Sequence, residues 1–272
     1  MQQIGLNRNT IDKYYTKSEV VNNCINIIKN KININKNDII IEPSAGNGAF
    51  NKIKELSNNC YFYDIEPENI DIIKQDFLTL DINNNNINNN IHIIGNPPFG
   101  RQSSIAIKFI KKCCSFASTI SFILPRSFKK DSMKKYFLKN YHLITEIDIN
   151  NAFLVNNIEY DVPCVFQIWE YRDEERIEPT KLEPINFKFV EKEDKPDISF
   201  RRIGVNAGTI SKDINNKSIQ SHYFIKFTNN NINNNNINID KLKDIKFENN
   251  NTVGPKSISK QELIKEFNKL LI

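Results

Sequence analysis

The 272-residue chain has no apolar run approaching the eighteen or more residues of a membrane-spanning helix. Its first ten residues, MQQIGLNRNT, carry no apolar signal segment. The expectation is a soluble protein with no membrane partner. It would stay in the compartment where it is made, expected to be the cytoplasm, with a nucleus or viral factory as the alternative. Cysteine is sparse. Cys24, Cys60, Cys113, Cys114 and Cys164 form no Cys-x-x-Cys pair, and three histidines are too few to complete a metal site. No metal is expected, and scattered thiols of odd number suit a reducing compartment, each as a small buried apolar residue. One Trp, eight Gly and ten Pro, with 39% hydrophobic and 25% charged residues, exclude a collagen-like, coiled-coil or fully disordered chain. A large excess of one charge is also lacking. The net charge of +5 permits a polyanionic partner without demanding one.

What is abundant is Asn with Ile. The runs Asn83–Asn90 and Asn229–Asn238 are polar, low in complexity and too poor in packing side chains for a core, so they read as loop insertions. Between them, strand and helix alternate. Helical apolar spacing runs over Val20–Lys29 and Ser103–Ser115, the latter with Ser at its cap. Gly48–Leu56 and the basic stretch Lys129–Lys139 also read as helices, and Pro67 opens a helical turn. Apolar runs at Asp38–Glu42, Cys60–Asp64, Ile91–Gly95 and Thr119–Leu124 predict buried strands, with Ile70–Lys74 a third-strand approach. Tyr141–Ile149 and Val162–Trp169 predict two longer strands. Buried, non-amphipathic strands alternating with helices imply an α/β domain over residues 1–171, a doubly wound, mostly parallel sheet covered on both faces. Residues 172–272 are expected to form a small C-terminal appendage, possible ground for substrate recognition. It would begin with a charged linker over Arg172–Asp197. Ser199–Ile203 and His222–Phe227 could pair as strands, and Gln261–Leu270 forms a terminal helix.

In an open α/β sheet, ligands bind outside the carboxyl ends of the strands, at the point where strand order reverses. Four post-strand loops carry chemistry. In Glu42-Pro43-Ser44-Ala45-Gly46-Asn47-Gly48-Ala49-Phe50, Gly46 and Gly48 allow a tight turn and close ligand approach, with free helix amides following. Asn51 stands where a dinucleotide motif needs its third glycine, and no Walker lysine follows. By itself this loop reads equally as an ordinary strand-to-helix turn. In Asp64-Ile65-Glu66-Pro67, Asp64 is placed to hold two ribose hydroxyls. Gln75-Asp76-Phe77-Leu78 offers an acceptor for an adenine amino group and a ring to stack on the purine; a helix cap and a core Phe are the plainer alternative.

The fourth loop is Asn96-Pro97-Pro98-Phe99-Gly100. Two prolines stiffen it and aim the Asn96 amide oxygen and the Pro97 carbonyl at one point. Two such acceptors can take both hydrogens of an exocyclic amine, drawing its lone pair out of conjugation and exposing it to an electrophile, while Phe99 stacks on the base.

At these residues the chain resembles the class I S-adenosylmethionine-dependent methyltransferases, specifically the adenine-N6 amino-methyltransferases of nucleic acid. The resemblance covers about Asp12 to Tyr171. It implies the class I methyltransferase fold and S-adenosylmethionine as cofactor. Asn96, Pro97, Pro98 and Phe99 would be the catalytic loop. Glu42, Ser44, Ala45, Gly46 and Gly48 would hold the methionine part, Asp64 with Ile65 the ribose, and Asp76 with Phe77 the adenine. Tyr14-Tyr15-Thr16-Lys17-Ser18-Glu19-Val20-Val21 is similar to the N-terminal motif of the γ-ordered DNA enzymes, with Tyr15 over the cofactor and Thr16 near the methionine carboxylate. Ser18 departs from it, standing where many members have proline. Leu124–Phe128 and Asn151–Trp169 look like the later strands, and Phe153 would line the target-base pocket. Arg126, Lys129 and Lys130, with Lys134, Lys135 and Lys139, could hold phosphates at that rim or form a solvated face. The implied activity is methyl transfer to N6 of adenine in DNA, a nucleic-acid partner whose base is flipped out to be reached. The same chemistry on RNA, a protein glutamine methyltransferase, or an inactive nucleic-acid-binding module are the alternatives.

Overall fold

The computed structural model describes residues 14–82, 89–155, 158–228, 239–247 and 256–271. Both long Asn runs expected as loop insertions lie largely or wholly outside the described residues, as do the first ten residues. Two compact units divide the chain, Met1–Ile177 and Glu178–Ile272.

The first unit is built on seven strands. These are β2 (Ile39–Glu42), β3 (Asn59–Asp64), β4 (Ile73–Lys74), β5 (Ile91–Gly95), β6 (Thr119–Pro125), β7 (Tyr141–Ile149) and β10 (Cys164–Tyr171). Their order across the sheet is β4-β3-β2-β5-β6-β10-β7. The five strands from β4 to β6 pair in parallel, whereas β10 runs antiparallel to both β6 and β7. Chain order therefore reverses between β2 and β5, which is where an open α/β sheet makes its binding crevice.

Pleating explains the two-sided core. Successive strand residues face opposite ways, so Ile40 and Ile94 join one buried cluster while Ile41 and Ile93 join the other. Helix α1 (Ser18–Lys31) covers the first face through Val21, Cys24, Ile25 and Ile28, the i, i+3, i+4, i+7 spacing of one helix stripe. Helix α2 (Ser104–Cys113) covers the second with the same spacing at Ala106, Phe109, Ile110 and Cys113. At the amino-terminal edge of the sheet, His92 links Asp38 before β2 to Thr119 on β6, through Nε2 at 3.3 Å and Nδ1 at 2.8 Å.

Three local expectations change. Gly48–Leu56 is not an α-helix: residues Asn51–Glu55 form a 3₁₀ turn, whose buried Phe50, Ile53 and Leu56 repeat every three residues, the 3₁₀ period. The basic segment is a 3₁₀ turn at Arg126–Lys129 followed by the four-residue α3 (Asp131–Lys134), because Phe128 and Phe137 must both reach the core. Ser103 does not cap α2 with its side chain; it sits at φ +62° after Gln102 at φ +53°. A small sheet also has no counterpart in the sequence pattern: β1 (Tyr15–Thr16), β8 (Phe153–Val155) and β9 (Ile158–Tyr160), with Thr16 opposite Phe153.

The second unit is an antiparallel four-stranded sheet of order β11-β14-β12-β13, made from Phe187–Val190, His222–Phe227, Ile198–Arg201 and Ile210–Ser211. The expected pairing of the segments near 199–203 and 222–227 is the β12–β14 ladder. The charged linker read over Arg172–Asp197 is corrected: it contains β11, whose Phe187 is buried against Phe267. Helices α4 (Ile239–Lys243) and α5 (Lys260–Leu271) complete it, α5 burying Leu263, Ile264, Phe267 and Leu271.

Candidate active site

The glycine loop after β2 and the proline loop after β5 lie on either side of the switch point. Ser44 Oγ donates to the carbonyl of Asn96 at 3.1 Å, tying the two loops together. The loop after β3 joins them: Gly46 N–H donates to Asp64 Oδ2 at 2.7 Å and Glu66 N–H to Asp64 Oδ1 at 2.8 Å. Gly46 is left-handed at φ +54°, and a Cβ there would meet no atom within 4 Å, so its missing side chain leaves open space. Three of the amides in and after this loop are taken up within the protein. Gly46 donates to Asp64, Gly48 to the Ala45 carbonyl and Asn51 to the Gly48 carbonyl.

These loops enclose one cavity of about 420 Å³. Its lining includes Tyr15, Thr16, Glu42, Ser44, Ala45, Gly46, Asp64, Ile65, Asp76, Phe77, Asn96, Pro97, Pro98 and Phe99. Residues expected at the site from the sequence, spread over β1, three strand-end loops and the proline corner, therefore meet in one hollow. Gly48 lies in the turn behind it.

Two polar atoms on residues lining this cavity are buried without a hydrogen-bond partner: Asn96 Oδ1 and Glu42 Oε2. Leaving a buried acceptor unmade costs about 1–3 kcal/mol. Glu42 is 2% exposed, and burial, followed by the charge of Asp64, pushes its carboxyl well above the usual carboxylate range. Both atoms are suited to accept hydrogen bonds from a bound group.

The aromatic residues take different parts from those expected. Phe99 lines the cavity, but Phe153 is fully buried outside its lining, its ring 6.2 Å from Phe99 in an edge-on contact. The reading of Phe153 as a pocket wall is corrected to a backing for Phe99, because its strand pairs with Thr16 and holds it inside. Phe77 is 1% exposed, stacked on Phe109 with the Lys112 ammonium over its ring, so it forms floor rather than an open stacking face.

The basic rim is also corrected. Arg126 is buried, donates to Asn150 Oδ1 at 2.6 Å and faces Asp148 at 3.6 Å. Lys129 bonds both oxygens of Asp148 at 3.1 Å, and Lys134 meets Glu146 at 2.9 Å. Neither Arg126, Lys129 nor Lys130 lines the cavity. The acids that pair with Arg126, Lys129 and Lys134 sit on β7, and the sequence alone does not show that this strand lies beside them.

Sequence reasoning missed Glu68, which accepts from the Tyr15 hydroxyl at 2.6 Å and lines the cavity with it. A contact spanning 53 residues leaves no local signal. Ile105 and Phe109 of α2 line the cavity and were missed too. Their one clue is position, since α2 starts directly behind the Asn96–Gly100 corner.

No protein-family model matches the chain, and no curated protein matches it in sequence. Among solved structures it is similar to a candidate RNA methyltransferase from Pyrococcus horikoshii, with TM-score 0.49 and 12% identity over 61% of this chain and 91% of that one. It is similar to the 23S rRNA methyltransferase ErmE, with TM-score 0.44 and 12% identity over 61% and 73%. A dimethyladenosine transferase from Plasmodium falciparum gives TM-score 0.41 and 11% identity over 59% and 64%. By its own strand order, with β10 antiparallel between β6 and β7, the first unit has the class I, Rossmann-like methyltransferase fold.

Proposed function

We propose that the chain is an S-adenosylmethionine-dependent methyltransferase acting on the N6 amino group of adenine in a nucleic acid. The observation that carries this reading is Asn96 Oδ1. It is a buried acceptor without a partner, at a proline corner that shares one cavity with the glycine turn and Asp64.

The residues present fit the cofactor. Glu42, with its unpartnered buried oxygen, would take the cationic amine of the methionine part. Asp64, fixed by two backbone amides, would take the ribose hydroxyls, and Asp76 the adenine amine beside Phe77 and Ile65. When bound, S-adenosylmethionine supplies a methyl group activated on a sulfonium. Asn96 Oδ1 and the Pro97 carbonyl accept the two amino hydrogens of the target and weaken the conjugation of its lone pair with the ring. Phe99 stacks on the base, braced by Phe153. The nitrogen sheds its proton afterwards, so no side chain has to act as a base first.

DNA is the substrate proposed first, because the Tyr14–Val21 motif precedes the glycine loop as in the γ-ordered DNA enzymes it resembles, and Tyr15 and Thr16 line the same cavity. The experiment is incubation with methyl-labelled cofactor and separate DNA, RNA and protein pools, followed by nucleoside analysis. N6-methyldeoxyadenosine is the expected product; N6-methyladenosine moves the substrate to RNA, and labelled protein refutes the base reading. Asn96→Ala should cut transfer at least about a hundredfold with cofactor affinity nearly intact. Absence of S-adenosylmethionine binding by calorimetry overturns the enzyme reading.

A further inference from the structure

We propose that the C-terminal unit holds a second ligand site, a cavity that takes one nucleotide of a nucleic-acid strand by its phosphate; this rests on the nucleic-acid reading above. The cavity measures about 440 Å³, and the described residues that line it all belong to this unit. Lys243, Lys246 and Lys256 line it, and among the described residues no acidic side chain does. Its floor is apolar, with Phe247 7% and Ile210 9% exposed.

Three local features keep the hollow in place. Gly208 is at φ +104°, and a Cβ there would come to 3.4 Å from the Phe247 ring and 3.9 Å from Lys256 Nζ. Those are ordinary contact distances, so it is the left-handed backbone that calls for glycine at this turn beside the floor. Lys256 is fixed through its backbone, whose carbonyl accepts from Gly204 N–H at 2.9 Å, and the bridge Ile203–Ser257 follows directly. The β12–β13 pairing sets Ile210 opposite Phe200 and so anchors the far wall.

Charge distribution points the same way. Residues 178–272 contain sixteen Lys and Arg against twelve Asp and Glu, so four of the chain's five net positive charges belong to this unit. In the first unit, Arg126, Lys129 and Lys134 face carboxylates of β7. Lys246 and Lys256 beside an apolar floor suit a phosphodiester flanked by a sugar or base, since the anion meets the ammonium groups while the flat body covers Phe247.

The test uses the full chain and a labelled single-stranded oligonucleotide of mixed sequence, with affinity measured between about 50 and 200 mM salt, where each phosphate contact adds about 0.7 to the salt slope. Lys246→Gln with Lys256→Gln should weaken binding about tenfold or more and reduce the slope by about 1.4, two contacts' worth. Lys188→Gln, at an exposed position of β11, should leave both unchanged. Arginine at positions 246 and 256 should restore the slope, which separates lost charge from lost folding. An unchanged slope in the double glutamine variant overturns the proposal alone. Adenosine monophosphate or inorganic phosphate bound as tightly as the oligonucleotide also overturns it, by making the cavity a small-anion site. If the wild-type chain binds S-adenosylmethionine but no DNA or RNA oligonucleotide, the nucleic-acid reading falls and takes this proposal with it.

Discussion

Glu42 is costly for the fold as it stands, and on the proposed function the same residue would serve cofactor binding. Its carboxyl is buried at the carboxyl end of β2 with one oxygen unpartnered, and burial with the Asp64 charge raises its pKa. A carboxyl whose folded pKa lies above its unfolded value contributes stability that is complete below the ordinary value of 4.5 and is lost as pH rises through the folded value. Thermal unfolding of the ligand-free protein should therefore show a Tm that falls as pH rises above about 4.5. Glu42→Gln should flatten that trend and melt higher than wild type at neutral pH, yet bind S-adenosylmethionine about tenfold more weakly by calorimetry, for want of a charge-assisted bond. A variant that lost stability at neutral pH would sink this account of Glu42. The residue types at Asn96, Asp64 and Glu42 were legible because each ends a strand or opens the loop after it. Which of their oxygens lacked a partner was not, because that depends on every neighbour at once.

At the scale of elements, the glycine turn separates two demands that a motif merges. Gly46 and Gly48 are both left-handed, at φ +54° and +87°, a conformation costing a non-glycine residue roughly 1–2 kcal/mol. Their surroundings differ. Gly46 faces open space in the cavity, whereas a Cβ on Gly48 would come within 2.7 Å of the Asn51 side-chain nitrogen. Gly46→Ala should chiefly lower cofactor affinity, and Gly48→Ala should chiefly lower Tm; equal effects of the two on both measurements would refute the distinction. The strands of the first unit follow their apolar runs closely, because a run buried on both faces has few other uses. The segment after the turn misleads, since Phe50, Ile53 and Leu56 satisfy a 3₁₀ period while resembling a helical stripe. The β1–β8–β9 sheet leaves no pattern to read, because its strands are two or three residues long and β1 lies more than a hundred residues before its partners.

Across the first unit as a whole, the two edges of the sheet do different work. The amino-terminal edge carries a buried tie from Asp38 through His92 to Thr119, while the carboxyl-terminal edge leaves acceptors open. Burial holds the His92 pKa below its ordinary value of 6.5, with Asp38 opposing that shift. A histidine kept neutral in this way contributes stability that is present above about 6.5 and is lost as pH falls through its folded value. Unfolding free energy should thus decline on acidification below about pH 6.5, and His92→Asn should remove that part of the slope; an unaltered slope in the variant would contradict it. The sequence by itself determined the doubly wound pattern and the order of the four chemical loops, because strand burial and turn chemistry act within a few residues. Only the tertiary structure decided that Arg126 and Lys129 are neutralised from β7, that Tyr15 reaches Glu68, and that three lysines of the second unit gather around one hollow. Those outcomes depend on Coulomb pairing and packing between distant segments, which no local pattern encodes.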